Sequence, residues 1–82
     1  MPLRIPQNMT PLQKEILTSV YENPGNPCIF HSGCYASRHG LDMSDLDDKQ
    51  TAKSRVGRVL CNLAKFGYIH NDDSRYYYNE DW

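Results

Sequence analysis

The sequence lacks the features by which membrane, secreted and low-complexity proteins are recognised. No apolar run approaches the roughly 20 residues that a membrane-spanning helix needs, and the first nine residues contain no apolar stretch like that of a secretory signal. No internal repeat or biased tract is present. The three cysteines cannot all pair within one chain, and an odd number without a signal favours a reducing compartment. We therefore expect a cytoplasmic protein that does not enter a membrane.

A large net charge is also absent. Nine Lys and Arg residues nearly balance ten Asp and Glu residues, which leaves a formal charge of −1 and argues against indiscriminate coating of polyanions. At 82 residues the chain allows one small domain, whose core leaves little room for a catalytic cavity. Six Tyr, two Phe and one Trp supply enough large apolar side chains to exclude general disorder. We expect an extended N-terminal arm over residues 1–9 and a single domain over residues 10–82.

The first predicted helix has clear signals at both ends. Thr10 and Gln13 have the spacing of a capping box, and Pro11 suits the first helical position. Apolar residues then recur every four positions until the Asn23–Pro27 segment, which is rich in Pro and Gly, ends the helix.

The next segment predicts a short strand and a second helix. Cys28–Phe30 is expected to be briefly extended, and Ser32 is a candidate N-cap for a short helix over residues 33–39. Gly40 is then expected to end that helix.

The strongest helical signal follows an acidic connection over residues 41–48. Asp47 or Asp48 is expected to cap a third helix that runs to about residue 66 and is ended by Gly67. Its apolar residues share one face, which predicts a buried stripe of Ala52, Val56, Val59, Leu60, Leu63 and Phe66.

Two β-prone runs over residues 68–70 and 76–78 flank a polar segment over residues 71–75, a pattern that predicts a hairpin with a five-residue loop.

The stretch from Thr51 to Tyr78 resembles the third helix and wing of winged-helix domains such as those of MarR-like and GntR-like bacterial regulators. The shared pattern is an apolar stripe that ends in Leu-x-x-x-Gly, here Leu63 to Gly67, followed by a hairpin. The layout covers roughly residues 10–79. The resemblance implies an α+β winged helix-turn-helix fold, in which three helices, a short strand after helix 1 and a C-terminal β-hairpin wing form one domain.

The small net charge conceals a segregation along the chain. Residues 49–70 contain five Lys and Arg residues and no acid, whereas residues 42–48 contain four aspartates. Residues 71–82 contain four acids and one Arg. The third helix is therefore a basic rod between two acidic segments.

Helical geometry predicts which side chains this rod presents to a partner. At about 100° per residue, Ser54, Arg58, Cys61 and Lys65 lie opposite the apolar stripe. In a DNA major groove, Gln50, Thr51, Ser54 and Arg58 would reach base edges, with Arg58 donating to guanine and Gln50 pairing with adenine, and the other cations would contact phosphates. The candidate DNA-binding residues are Lys49, Gln50, Thr51, Lys53, Ser54, Arg55, Arg58 and Lys65 on the helix and Arg75 on the wing.

The predicted wing favours a second hypothesis. Its tip contains Asp72 and Asp73, whose carboxylates would repel phosphates. The segment from Gly67 to Tyr78 is also similar to the wing of the C-terminal domain of the middle subunit of replication protein A, a winged helix that holds partner proteins rather than DNA. The alternative is therefore a protein-interaction module that uses the acidic wing and the Asp42–Asp48 loop.

Four side chains have the chemistry of metal ligands, but their spacing matches no zinc module. Cys28 and Cys34 are more simply explained as small core residues, and Cys61 as either a partly covered residue or a redox-sensitive or dimer-forming thiol. No nucleophile–base arrangement and no phosphate-binding loop is evident, so we expect neither an enzyme nor a cofactor. The candidate metal ligands are Cys28, His31, Cys34 and His39.

Together these features predict a small transcriptional regulator that binds specific double-stranded DNA. Its size suits an accessory protein of a virus or plasmid. A homodimer, formed through the arm and first helix or through the C-terminal Tyr and Trp residues, would double the contact with DNA.

Overall fold

Three helices and a small antiparallel sheet make up the computed structural model, which describes residues 3–82. In chain order the elements are α1 (Pro11–Glu22), β1 (Asn26–Pro27), α2 (Cys28–His39), α3 (Leu46–Lys65), β2 (Ile69–Asp72) and β3 (Arg75–Tyr78). The sheet has the order β1-β3-β2, so the short strand after α1 joins the outer side of the C-terminal hairpin. The α+β class is confirmed, and the arrangement is compatible with a winged-helix-like layout. Within residues 3–82, none of the helices has the length and apolar character needed to cross a bilayer.

The start of α1 is the capping box that the sequence predicts. The Gln13 backbone N–H donates to Thr10 Oγ1 at 3.2 Å, and the Thr10 backbone N–H donates to Gln13 Oε1 at 2.9 Å. These two bonds satisfy donors that a helix start otherwise leaves free. The helix ends at Glu22, directly before the Pro- and Gly-rich segment that was expected to stop it.

The predicted start of α2 is wrong. The strand lies at Asn26–Pro27, and the helix already begins at Cys28. Ser32 is fully buried inside the helix, where its hydroxyl donates to the Cys28 carbonyl at 2.9 Å. A serine that bonds back to the carbonyl four residues earlier has no need to cap a helix. The predicted end is correct, because Gly40 has a φ of +71°, which suits glycine.

The predicted cap of α3 is also wrong. Asp45 is the N-cap, and its Oδ1 accepts from the Asp47 backbone N–H at 3.2 Å. Asp47 and Asp48 lie in the first turn instead, where carboxylates interact favourably with the positive end of the helix dipole. The helix ends at Lys65, two residues before Gly67, whose φ of +86° stops it as predicted.

Five of the six predicted stripe residues of α3 are buried in the core. They pack with residues of α1 and α2 and with Ile69 of β2. Phe66 is the exception, because 64% of it is exposed. It is the C-cap residue, beyond the last turn that packs against the other helices. The buried stripe consists of Ala52, Val56, Val59, Leu60 and Leu63.

Residues 3–10 lie along the domain, although they form neither helix nor strand. Met9 is buried, and the Arg4 backbone N–H donates to the Tyr78 hydroxyl at 3.0 Å. The Arg4 guanidinium carbon lies 5.1 Å from the Trp82 ring centroid, a cation–π contact. The first two residues of the predicted arm lie outside the described residues.

The hairpin has a tighter turn than the predicted five-residue loop. Asp72 pairs with Arg75 across the strands, so only Asp73 and Ser74 lie between them. Both have positive φ, 54° and 63°, as a type I′ turn requires. The five-residue prediction failed because polar Asn71, Asp72 and Arg75 belong to the strands.

This turn generates a prediction, because Asp-Gly suits a type I′ turn better than the Asp-Ser present. Ser74→Gly should raise the free energy of unfolding by about 1 kcal/mol by removing the clash of a Cβ at positive φ. Ser54→Gly, the same change in the exposed middle of α3, should lower it by about 0.5 kcal/mol. The urea unfolding midpoint, at an unchanged m-value, measures both changes in the free energy of unfolding. If Ser74→Gly lost as much stability as Ser54→Gly, the turn assignment would be contradicted.

Candidate nucleic-acid interface

The polar face of α3 points away from the domain. Its five cations, at positions 49, 53, 55, 58 and 65, all belong to exposed residues. Among residues 3–82, the ion pairs present join Arg38 and His39 to Glu15, so none involves α3. Gln50 and Ser54 are exposed on the same helix and Thr51 is half-buried. The predicted helical residues are therefore accessible, and we call them together the basic face. By helical geometry Ser54, Arg58 and Lys65 lie opposite the buried stripe, whereas Lys53 and Arg55 lie on its two flanks.

Two of the predicted DNA-binding arginines are held by hydrogen bonds. Arg55 Nη1 donates to the Tyr35 hydroxyl at 2.9 Å, which joins α3 to α2. Arg75 Nη1 donates to the Gly25 carbonyl at 3.0 Å, which joins β3 to the segment before β1. Arg75 is therefore directed toward the domain, and the carboxylates of Asp72 and Asp73 dominate the hairpin tip.

Gly57 interrupts the basic face beside the start of α2. A neighbouring side chain lies beside it, since Cys28 Sγ is 3.8 Å from the position that a Cβ at residue 57 would take. That distance is ordinary van der Waals contact, so the site has room for a methyl group.

A shallow groove of about 310 Å³ runs between the start of α1 and the basic face. Leu12 and Val59 form its apolar part, and Ser54, Arg55 and Arg58 supply polar groups. The groove is not predictable from the sequence because it depends on how α1 packs against α3. The sole sequence signal was the spacing of residues 54, 55 and 58, which places three polar side chains on neighbouring positions of one helix.

The four candidate metal ligands are not brought together. His31 is fully buried, and its Nδ1 lies 2.8 Å from the Ser19 hydroxyl. His39 Nε2 lies 2.9 Å from Glu15 Oε1 at the other end of α2. In the part of the chain that the structure describes, no three His, Cys, Asp or Glu side chains are grouped as a metal site. All three cysteines are free, with Cys28 and Cys34 half-buried and Cys61 exposed.

Burial lowers the pKa of His31 below its ordinary value of 6.5, because the low-dielectric core disfavours the charged imidazole. The unfolded chain therefore protonates this histidine before the native state does. Well above pH 6.5 both states hold it neutral, so the contribution of this residue to stability is lost as the pH falls through that value.

The His31 environment predicts acid sensitivity. We expect its ring signals in an NMR titration to shift at a pH clearly below 6.5, and the urea midpoint to fall between pH 7 and pH 5. The loss from this residue is at most about 1.4 kcal/mol per pH unit. His70→Gln, which removes an exposed histidine, should leave that fall unchanged. A His31 transition at or above pH 6.5 would contradict the prediction.

No protein-family model, curated protein or solved structure matches this chain. Function is therefore inferred from the basic face itself.

Proposed function

We propose that this chain is a winged-helix protein that binds specific sites in double-stranded DNA through the basic face of α3, as a transcriptional regulator does. One observation supports this proposal above all others. Five cations project from one 20-residue helix, and none of them has an acidic partner among residues 3–82. Unpaired cations on one rigid rod suit a polyanion, because each phosphate that they neutralise releases counterions.

The shape of α3 supports a duplex partner over a single strand. A helix with side chains is about 10–12 Å across, and the major groove of B-DNA is about 12 Å wide. Gln50, Thr51 and Ser54 would contact base edges, since amide and hydroxyl groups match the donors and acceptors displayed there. Lys49, Lys53 and Lys65 would contact phosphates on the two sides of the groove.

The hairpin plays a limited part in this proposal. Two carboxylates near its tip would repel a phosphate backbone, and Arg75 is already bonded to the Gly25 carbonyl. We therefore propose that the tip lies away from the DNA.

The alternative protein-interaction module has less support from the acidic loop than the sequence pattern indicates. Three of the four aspartates over residues 42–48 accept backbone N–H bonds within the segment that starts α3. Carboxylates with such a local role need no external partner to explain them. The remaining support for this alternative is the acidic hairpin tip.

The proposal predicts salt-dependent duplex binding. The logarithm of the binding constant should fall linearly with the logarithm of salt concentration, and Lys49→Ala with Lys53→Ala should reduce the slope by about 1.8, since each phosphate contact contributes about 0.9. Fluorescence anisotropy with a labelled random duplex measures this slope.

The matched control is Lys14→Ala with Arg38→Ala, which removes the same charge from α1 and α2. Its slope should equal that of the unmodified protein. Equal effects of both double variants would indicate a response to net charge alone. If no duplex binding occurs even at low salt, the DNA proposal is wrong, and the protein-interaction alternative replaces it.

A further inference from the structure

The groove between α1 and α3 has a more specific lining than the rest of the basic face. We infer that it binds one sugar–phosphate unit of the DNA backbone and that Tyr35 positions Arg55 for this contact; the inference rests on the proposed DNA binding.

The polar part of the groove has the chemistry to bind a phosphate group. Arg55 and Arg58 are three positions apart on α3, so their side chains leave the same side of the helix. Two guanidiniums and the Ser54 hydroxyl give an edge of donors, and guanidinium geometry matches the oxygens of a phosphate.

The apolar part of the groove suits a sugar ring. Leu12 and Val59 line the same groove, and contact with these side chains would not favour a bare inorganic anion. A deoxyribose ring has C–H edges that can pack on them while its phosphate meets the guanidiniums. The combination of an apolar floor and a cationic edge therefore favours a sugar–phosphate unit over phosphate alone.

The Arg55 side chain is held in place by Tyr35. Tyr35 is only 4% exposed, so its ring is fixed in the core, and its hydroxyl accepts from Arg55 Nη1 at 2.9 Å. The His39 ring stacks on Tyr35 at 4.3 Å between centroids, and His39 in turn contacts Glu15. An arginine already held in place loses less side-chain entropy when it binds a ligand.

This arrangement changes the role expected for Arg58. The sequence pattern predicted that it donates to a guanine. In the groove it lies with Arg55 on the side of α3 that faces α1, so we assign it to the backbone rather than to a base.

The experiment compares two Tyr→Phe variants in duplex binding across a salt series. Tyr35→Phe removes the hydroxyl that holds Arg55 and should weaken binding about fivefold, the entropic cost of immobilising one long side chain on binding. It should leave the salt slope unchanged, because no charge is lost. Tyr78→Phe is the control, since it removes a hydroxyl that accepts from the Arg4 backbone instead, and its affinity should equal that of the unmodified protein.

Two further measurements separate a positioning role from a loss of structure. Arg55→Ala and Arg58→Ala should each lower the salt slope by about 0.9. In NMR spectra of the unmodified protein, duplex should shift both the Arg55 Nε–Hε signal and the Leu12 methyl signals. Inorganic phosphate should leave the Leu12 signals in place.

The possible results of these experiments distinguish the groove assignment from the proposed function. If the unmodified protein binds duplex but Tyr35→Phe binds equally well and the Leu12 signals do not move, the groove assignment is wrong while the proposed function stands. Equal shifts with inorganic phosphate would identify a site for free anions and overturn the assignment to the backbone. An absence of duplex binding by the unmodified protein would remove both proposals together.

Discussion

The burial of one side of α3 against α1 and α2 is the interaction on which the rest of this structure depends. Val56, Leu60 and Leu63 are fully buried, and each such side chain contributes roughly 1.5–3 kcal/mol relative to exposure. A rotation of α3 about its axis would expose these residues and move cations toward the core, where an unpaired charge is far costlier than a lost apolar contact. The orientation of the helix is thus determined by its apolar side, and the basic face points outward as a consequence.

Two polar connections fix how the three helices meet. Inside the core, His31 of α2 shares a hydrogen bond with Ser19 of α1, while its Nε2 is buried without a partner among the described residues. That unsatisfied atom costs stability, so the pair is better understood as fixing the position of α2 on α1 than as a source of net stability. Nearer the surface, Glu15, His39, Tyr35 and Arg55 form a chain of contacts from α1 through α2 to α3. This second connection ends at the groove, so the packing of all three helices determines where Arg55 lies.

The parts of the fold that sequence predicted are those determined by local pattern. The capping box at Thr10, the stop at Gly40 and the stripe of α3 each depend on residues close together in the chain. The errors occur where several residues compete for one role. Asp45, Asp47 and Asp48 are all good caps, and only the path of the preceding loop selects Asp45. The groove was beyond prediction because Leu12 lies 42 positions before Ser54 in the sequence, and no pattern in either segment indicates their contact.

The charge segregation has a structural origin that also bears on docking. Among the acids of residues 42–48, Asp45 caps the start of α3, while Asp42 and Asp48 accept backbone N–H bonds from the preceding loop. Within residues 3–82, none of these acids pairs with a cation of α3. Asp47, however, lies on the same side of α3 as Ser54 and Arg58, because seven and eleven residues correspond closely to two and three turns. A DNA strand that approached the first turn would meet this carboxylate. The proposed base contacts therefore lie beyond this carboxylate, from Gln50 to Ser54, and the contact continues along α3 to Arg58. The groove opens on this part of the helix. Repulsion by the acids at the start of α3 and attraction by the cations beyond them therefore direct a DNA strand to the same place.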